Sequence, residues 1–233
     1  MTSKQILQKL KSLGNPKDVE GMARFGIKTD PGKIFGVRLP VMRKLAKEIG
    51  INHELAIELW NAGYRETRIL AGMIGDIKKT DAKLMDKWIK DFDSWEICDE
   101  TLMNLFWKSP IAFKKAIEWA KRNKEFEKRA SFAMMACLAW KDKEADDKQF
   151  EQFIPAIIDG ATDERNFVKK AVNWAIRQIG KRYFQPEQGR RLNKKFIQVS
   201  KKIARLNSKP AKWIASDALR ELTSDAVQNR LNK

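Results

Sequence analysis

A short segment recurs in the C-terminal half of the chain at an interval of about 40 residues. Residues 126–130 read FEKRA, residues 167–171 read FVKKA and residues 210–213 read PAKW. Apolar residues follow helical spacing around each copy. A helical chain with this period is expected to stack paired helices into a solenoid of the HEAT type.

Helical periodicity extends over nearly the whole chain and predicts an all-α fold. Apolar residues at positions 6, 7, 10 and 13 mark one helix face, and those at 41, 45 and 49 mark a helix that Pro40 opens and Gly50 closes. Residues 29–36, TDPGKIFG, predict one extended connection. We therefore expect a single HEAT-like repeat domain over residues 1–233, an α-α superhelix whose N-terminal helices, to about residue 50, cap the solenoid.

The net charge predicts a polyanionic partner. Forty-seven Lys and Arg against 30 acids give a net charge of +17 and a pI near 9.9, as expected of a protein that binds a phosphate backbone. Arg129, Lys170 and Lys212 occupy one position of the repeat, which predicts a cationic stripe in a concave groove. The alternative for the net charge is a ribosome-associated or merely soluble basic protein. The alternative for the recurring cations is that they are independent solvated charges.

Few residues are suited to metal or nucleophilic chemistry. Cys98, Cys137 and His53 are the only cysteines and histidine, and no C-x-x-C pair occurs, so a zinc site is not expected. Phosphate-cradling glycine motifs are absent. We expect no cofactor and no metal. Two reduced thiols and the lack of a long apolar run predict a cytoplasmic protein with no membrane partner.

The segment SWEICDE at 94–100 holds Trp95 and Asp99 four residues apart in a helical pattern. That spacing places indole and carboxylate on one face, one turn apart. An aromatic wall beside a fixed negative charge, in a basic protein, suggests a site for a cationic ligand held against a polyanion. The alternatives are a core tryptophan and an ion pair between Asp99 and Arg129.

A second tryptophan lies among cations in the segment at 169–177, KKAVNWAIR. Lys170, Trp174 and Arg177 share one helix face. Basic residues interleaved with an aromatic side chain are typical of stacking combined with contacts to phosphates. A core indole flanked by cations that reach solvent is the alternative. The other six tryptophans lack such surroundings and are expected in the core or on the surface.

Four segments in order resemble the DNA alkylation repair family, the AlkD-like HEAT-repeat DNA glycosylases. They are MARF at 22–25, FGVRLP at 35–40 followed by Arg43, SWEICD at 94–99, and the segment from Phe167 to Arg177, FVKKAVNWAIR. The resemblance covers roughly residues 5–225, and the ordered set is more specific than any one motif. Where the family often has tyrosine this chain has Phe25, which keeps a ring but not a hydroxyl.

The resemblance implies excision of N3- and N7-alkylated purines from double-stranded DNA by a monomer. It implies that Asp99 is catalytic and that the substrate contacts are Trp95, Trp174, Arg129 and Phe25. The residues expected at the DNA backbone are Arg24, Arg38, Arg43, Lys169, Lys170, Arg177 and Lys212. Two other hypotheses stay open: a non-catalytic HEAT-like module that binds damaged or branched DNA, and a solenoid that binds RNA or protein.

Overall fold

The structure is a computed structural model that describes residues 1–27, 32–184 and 186–232. These residues form fifteen α-helices and two short 3-10 turns, without a β-strand, so the predicted all-α class is confirmed. The chain divides into two compact units, Met1–Ser109 and Pro110–Lys233. Of the predicted connection at 29–36, residues 29–31 lie outside the described residues, and 32–36 are not helical.

The first unit is built from short amphipathic helices whose ends follow local signals. Asn15 caps α2 by accepting a hydrogen bond from the amide of Lys17, and Gly50, at φ +71°, ends α3, as predicted. The helices of this unit are α1 (Ser3–Ser12), α2 (Pro16–Arg24), α3 (Leu39–Ile49), α4 (His53–Ala62), α5 (Arg65–Ile74), α6 (Ala82–Ile89) and α7 (Trp95–Asn104).

Helix α5 is central to the first unit, because α3, α4 and α7 all pack against it. Nearby, the Trp60 and Trp88 rings stack at a centroid distance of 4.0 Å and are almost fully buried. The predicted face of α3 is partly wrong, since Val41 is exposed and Met42 is buried beside Leu45. Positions three apart share a helix face, so Met42 and Leu45 pack inward together while Val41 points away.

The second unit contains the longest helices and a more deeply buried centre. Helix α12 packs between α9 and α14, and α13 packs against α14. Residues 130–139 of α9 are all buried, because neighbouring helices cover it on more than one side. The helices of this unit are α8 (Ala112–Trp119), α9 (Glu125–Lys141), α10 (Asp147–Glu151), α11 (Ile154–Gly160), α12 (Asn166–Gly180), α13 (Pro186–Ala204), α14 (Lys209–Leu222) and α15 (Asp225–Leu231).

The repeat seen in the sequence corresponds to the second helix of each helix pair. These helices begin at Arg65, Trp95, Glu125, Asn166 and Lys209, at successive intervals of 30, 30, 41 and 43 residues. The interval near 40 therefore holds for the C-terminal half and shortens to 30 in the N-terminal half. Longer helices account for the difference, because α9 has 17 residues, α12 has 15 and α13 has 19, whereas α5 and α7 have 10 each.

Candidate functional site

Trp95 and Asp99 lie at the start of α7. Ser94 caps the helix, and its Oγ accepts a hydrogen bond of 3.3 Å from the amide of Ile97. Trp95 is therefore the first helical residue and Asp99 follows one turn later, as the spacing predicts. The indole is half-buried, and Asp99 keeps 8% of its surface exposed. The carboxylate is thus largely shielded from water, which strengthens its interaction with any charge brought near it.

The structure brings Phe25 to Trp95. The indole Nε1 donates a hydrogen bond of 2.9 Å to the main-chain carbonyl oxygen of Phe25, 70 residues earlier in the sequence. Phe25 ends α2, and its side chain is 71% exposed. A residue with an exposed aromatic ring is therefore held next to a half-buried indole through its main chain. Arg24, just before Phe25, is exposed as well.

Asp99 belongs to a buried acidic segment of α7 that includes Glu96 and Glu100. Glu100 accepts a hydrogen bond of 3.0 Å from Asn104 and pairs with Arg43 at 3.5 Å. Burial raises the pKa of the Glu100 carboxyl above its usual value, against the opposing effects of Asn104 and Arg43. Arg43 was predicted to contact the DNA backbone, and in the structure its exposed guanidinium reaches towards this acid.

Glu96 is held by Arg65 in a buried, two-pronged ion pair. The guanidinium donates to both carboxylate oxygens, at 2.7 and 2.6 Å, and also to Glu66 and to the carbonyl oxygen of Val37. This network joins the first turns of α5 and α7 and so positions Trp95 and Asp99. No motif in the sequence predicts this network. The available signal was the 30-residue interval between Arg65-Glu66 and Trp95-Glu96.

The FGVRLP motif has a structural explanation in the same network. Glu66 accepts hydrogen bonds of 3.1, 2.9 and 3.2 Å from the amides of Phe35, Gly36 and Val37. Gly36 has φ +81°, and a Cβ there would lie 2.4 Å from the carbonyl oxygen of Asn15, so only glycine fits. Arg38, the cation of the motif, is exposed and makes two hydrogen bonds with Asp18.

In the second unit Trp174 is half-buried on α12, and Lys170, one turn earlier, is exposed. Lys169 lies 5.0 Å from the ring of Trp213, an exposed indole on α14. Two predicted cations of α12 therefore reach solvent or an exposed ring near the start of the helix. Lys212, on α14, is exposed too.

Other cations predicted in this unit are already engaged. Arg129 is buried, and its Nη1 donates a hydrogen bond of 2.8 Å to the carbonyl oxygen of Phe167. Arg177 pairs with Asp217 at 3.2 Å and contacts Glu221. The repeat position shared by Arg129 and Lys170 thus has two environments, because α12 covers the start of α9.

Neither a metal cluster nor a membrane span occurs in the described ranges. No group of three or more His, Cys, Asp or Glu in residues 1–27, 32–184 and 186–232 is arranged to hold a metal ion. Over the same ranges, no helix is long and apolar enough to cross a membrane. Cys98 and Cys137 form no disulfide, and both are buried.

The chain aligns over nearly its whole length with a solved HEAT-like structure. One solved structure, described as a new family of proteins related to the HEAT-like repeat DNA glycosylases with affinity for branched DNA structures, aligns with a TM-score of 0.75 and 22% identity, covering 99% of this chain and 96% of its own. A designed armadillo repeat protein in complex with the peptide (KR)4 aligns with a TM-score of 0.40 and 14% identity, covering 94% of this chain and 92% of its own.

No curated protein matches the sequence. The sequence profile of the family described as DNA alkylation repair enzyme matches residues 6–222. That match spans all four segments on which the resemblance rests, from residue 22 to Arg177. The HEAT-like fold agrees with it. The chain therefore belongs to the DNA alkylation repair enzyme family.

Proposed function

We propose that the protein is a monofunctional DNA glycosylase that releases cationic N3- and N7-alkylated purines from double-stranded DNA. The observation that carries this proposal is the pair at the start of α7, where the shielded carboxylate of Asp99 lies one turn from the half-buried indole of Trp95. Membership of the DNA alkylation repair enzyme family supports it. The net charge of +17 suits a DNA substrate.

The chemistry needs little more than this pair. Alkylation gives the purine a positive charge, so the base leaves as a neutral group once the C1′–N bond breaks and its electrons pass to the ring. The sugar is then an oxocarbenium ion, and water adds to C1′ and loses a proton. A carboxylate at ~4 Å from that cation would stabilise it by about 4 kcal/mol at an effective dielectric constant of 20. The carboxylate also attracts the positively charged substrate, so the reaction is accelerated only by the amount by which it stabilises the transition state more than the substrate.

The aromatic residues contribute recognition. An indole face attracts a cation by roughly 0.5–2 kcal/mol, which favours an alkylated base over a neutral one. The hydrogen bond from the Trp95 indole to the Phe25 carbonyl fixes the orientation of that face. Phe25 itself has a ring that is exposed to solvent. Trp174 and Arg129, in the second unit, are proposed further contacts to the damaged nucleotide, and Lys170 and Lys212 contacts to phosphates.

The decisive experiment measures release of methylated purines from methylated duplex DNA under single-turnover conditions. Asp99→Asn should lower the rate at least roughly a hundredfold without changing the thermal unfolding midpoint by more than a few degrees. Glu58→Gln, at an exposed acid on α4, is the matched control and should keep full activity. Near-normal release by Asp99→Asn would refute the catalytic assignment.

A second function is favoured by one observation, the similarity to the solved structure with affinity for branched DNA. If the protein is instead a non-catalytic module of that kind, wild-type protein should release no methylated purine and should bind a four-way junction more tightly than a linear duplex. Asp99→Asn should then bind both DNAs as the wild type does. The release assay and the junction assay together separate the two functions.

A further inference from the structure

A cleft of about 450 Å³ lies in the second unit, at the C-terminal ends of α9 and α12. We call it the Trp140 cleft, and the residues that define it are Trp140, Lys143, Lys181, Arg182, Phe184 and Arg230. None of them belongs to the proposed glycosylase site. Sequence patterns predict only that Trp140 lies in the core or on the surface, although in the segment WKDK at 140–143 two lysines follow the tryptophan.

Two aromatic rings of the cleft are exposed and each lies beside a cation. Trp140 is 52% exposed, although the ten residues before it on α9 are all buried. Lys141 Nζ lies 4.2 Å from the Trp140 ring. Phe184 is 39% exposed, and Lys143 Nζ lies 5.8 Å from its ring. An exposed indole and an exposed phenyl ring facing one cavity form a larger apolar surface than scattered single residues would.

Arg182 holds the cleft in shape. This buried guanidinium donates hydrogen bonds to the carbonyl oxygens of Ala139, Lys143 and Ala145, at 3.1, 3.2 and 2.9 Å, and to that of Asp142. It also lies 4.6 Å from the Phe184 ring. The loop after α9 is therefore fixed to the segment after α12 that carries Phe184.

The charge around the cleft is mainly positive. Lys143 and Arg230 are exposed, whereas Lys181 pairs with Glu221 at 2.7 Å. The Asp142 carboxylate accepts hydrogen bonds from the amides of Glu144 and Ala145, so it is engaged with its own loop. Glu144 and Asp146 are exposed on that loop and reduce the positive potential without cancelling it.

We infer that the Trp140 cleft binds an unpaired stretch of DNA, with a base stacked on the Trp140 indole and its phosphates beside Lys143 and Arg230. Aromatic platforms flanked by cations bind single strands of any sequence, because every base has a face to stack. A base inside an intact duplex already stacks on its neighbours and is not available to this ring. A purely apolar peptide would gain nothing from the lysines beside both rings.

The test compares binding of the full chain to a labelled oligothymidylate and to a labelled unmodified duplex, by fluorescence anisotropy. Trp140→Ala should weaken oligothymidylate binding about tenfold, and Trp140→Phe should recover most of that loss, since a ring is restored. Both variants should bind the duplex within about twofold of the wild type, because phosphate contacts dominate duplex affinity.

Lys143→Gln should weaken oligothymidylate binding severalfold. Lys148→Gln removes the same charge from an exposed position outside the cleft and should have little effect.

Equal losses for the oligothymidylate and the duplex would overturn the inference, as would an unchanged oligothymidylate affinity in Trp140→Ala. Binding of oligouridylate at least roughly tenfold tighter than oligothymidylate would assign the cleft to RNA instead. The inference does not rest on the glycosylase activity. Trp140→Ala should release methylated purines at the wild-type rate. If the wild-type protein releases no methylated purine, the oligothymidylate comparison still tests the cleft.

Discussion

The indole Nε1 of Trp95 donates a hydrogen bond of 2.9 Å to the main-chain carbonyl oxygen of Phe25. This bond connects the end of α2 to the first residue of α7. It satisfies the one polar atom of the indole and leaves the ring face for other contacts. Two residues predicted separately as substrate contacts are thus parts of one arrangement.

Trp95→Phe tests that arrangement. The ring remains but the hydrogen bond to the Phe25 carbonyl is lost, so we expect the free energy of unfolding to fall by about 1 kcal/mol. If the glycosylase proposal holds, the rate of methylated-purine release should also fall several-fold under conditions where the variant is fully folded, because the hydrogen bond no longer orients the ring. Trp213→Phe, at an exposed indole, is the stability control. A denaturant midpoint equal to that of the control would mean that the bond contributes nothing.

Glu96→Ala tests the buried network that positions α7. It leaves the Arg65 guanidinium buried with fewer partners, which should cost about 3 kcal/mol in the free energy of unfolding measured by urea denaturation. Asp18→Ala breaks the pair with the exposed Arg38 and should leave the urea midpoint nearly unchanged, since solvent screens that pair. Similar losses in the two variants would show that the buried network is not what fixes the start of α7.

Salt dependence tests the predicted cations. Binding to unmodified duplex should weaken with salt, with a slope of log K against log[salt] of roughly −4 to −6 if several phosphates are contacted. Lys170→Gln should make the slope shallower by about one, because Lys170 is exposed. Arg177→Gln should change it by less than half as much, because Asp217 and Glu221 already neutralise that guanidinium. A flat salt dependence would contradict binding through phosphates altogether.

Asp163 should make stability depend on acidic pH. Burial raises the pKa of its carboxyl, but hydrogen bonds from Arg165 and Lys128 outweigh burial and lower the pKa from its usual 3.8 to about 2. Because the folded pKa is depressed, the stabilisation is present above pH 3.8 and is lost as the pH falls towards 2. After allowance for solvent screening it amounts to about 1–2 kcal/mol.

Asp163→Asn should therefore flatten the fall in the free energy of unfolding between about pH 5 and pH 2. Asp159→Asn, at an exposed acid of α11, should keep the wild-type profile. Glu100 contributes in the opposite direction. Burial raises the pKa of its carboxyl, so its protonation as the pH falls increases the free energy of unfolding. Parallel profiles for wild type and Asp163→Asn would disprove the assignment to Asp163.

The repeat position shared by Arg129, Lys170 and Lys212 shows how far sequence reasoning reaches. The sequence places three cations at one position of successive helices. In the structure Arg129 is buried against the carbonyl oxygen of Phe167, whereas Lys170 and Lys212 are exposed. A repeat predicts the position of a residue on its helix. The burial and partners of the side chain depend on which neighbouring helix packs over that position.

The all-α class, the helix end at Gly50, the Trp95–Asp99 spacing and the family follow from the sequence alone. These depend on caps, on helical periodicity and on short motifs, which act within a few residues. Three contacts arise only in the folded chain: Trp95 bonds to Phe25, Arg65 holds Glu96, and Trp140 faces a basic cleft. Such contacts join residues that are distant along the chain. Periodicity predicts which face of a helix is apolar, but only the packing of the helices decides which other helix covers that face.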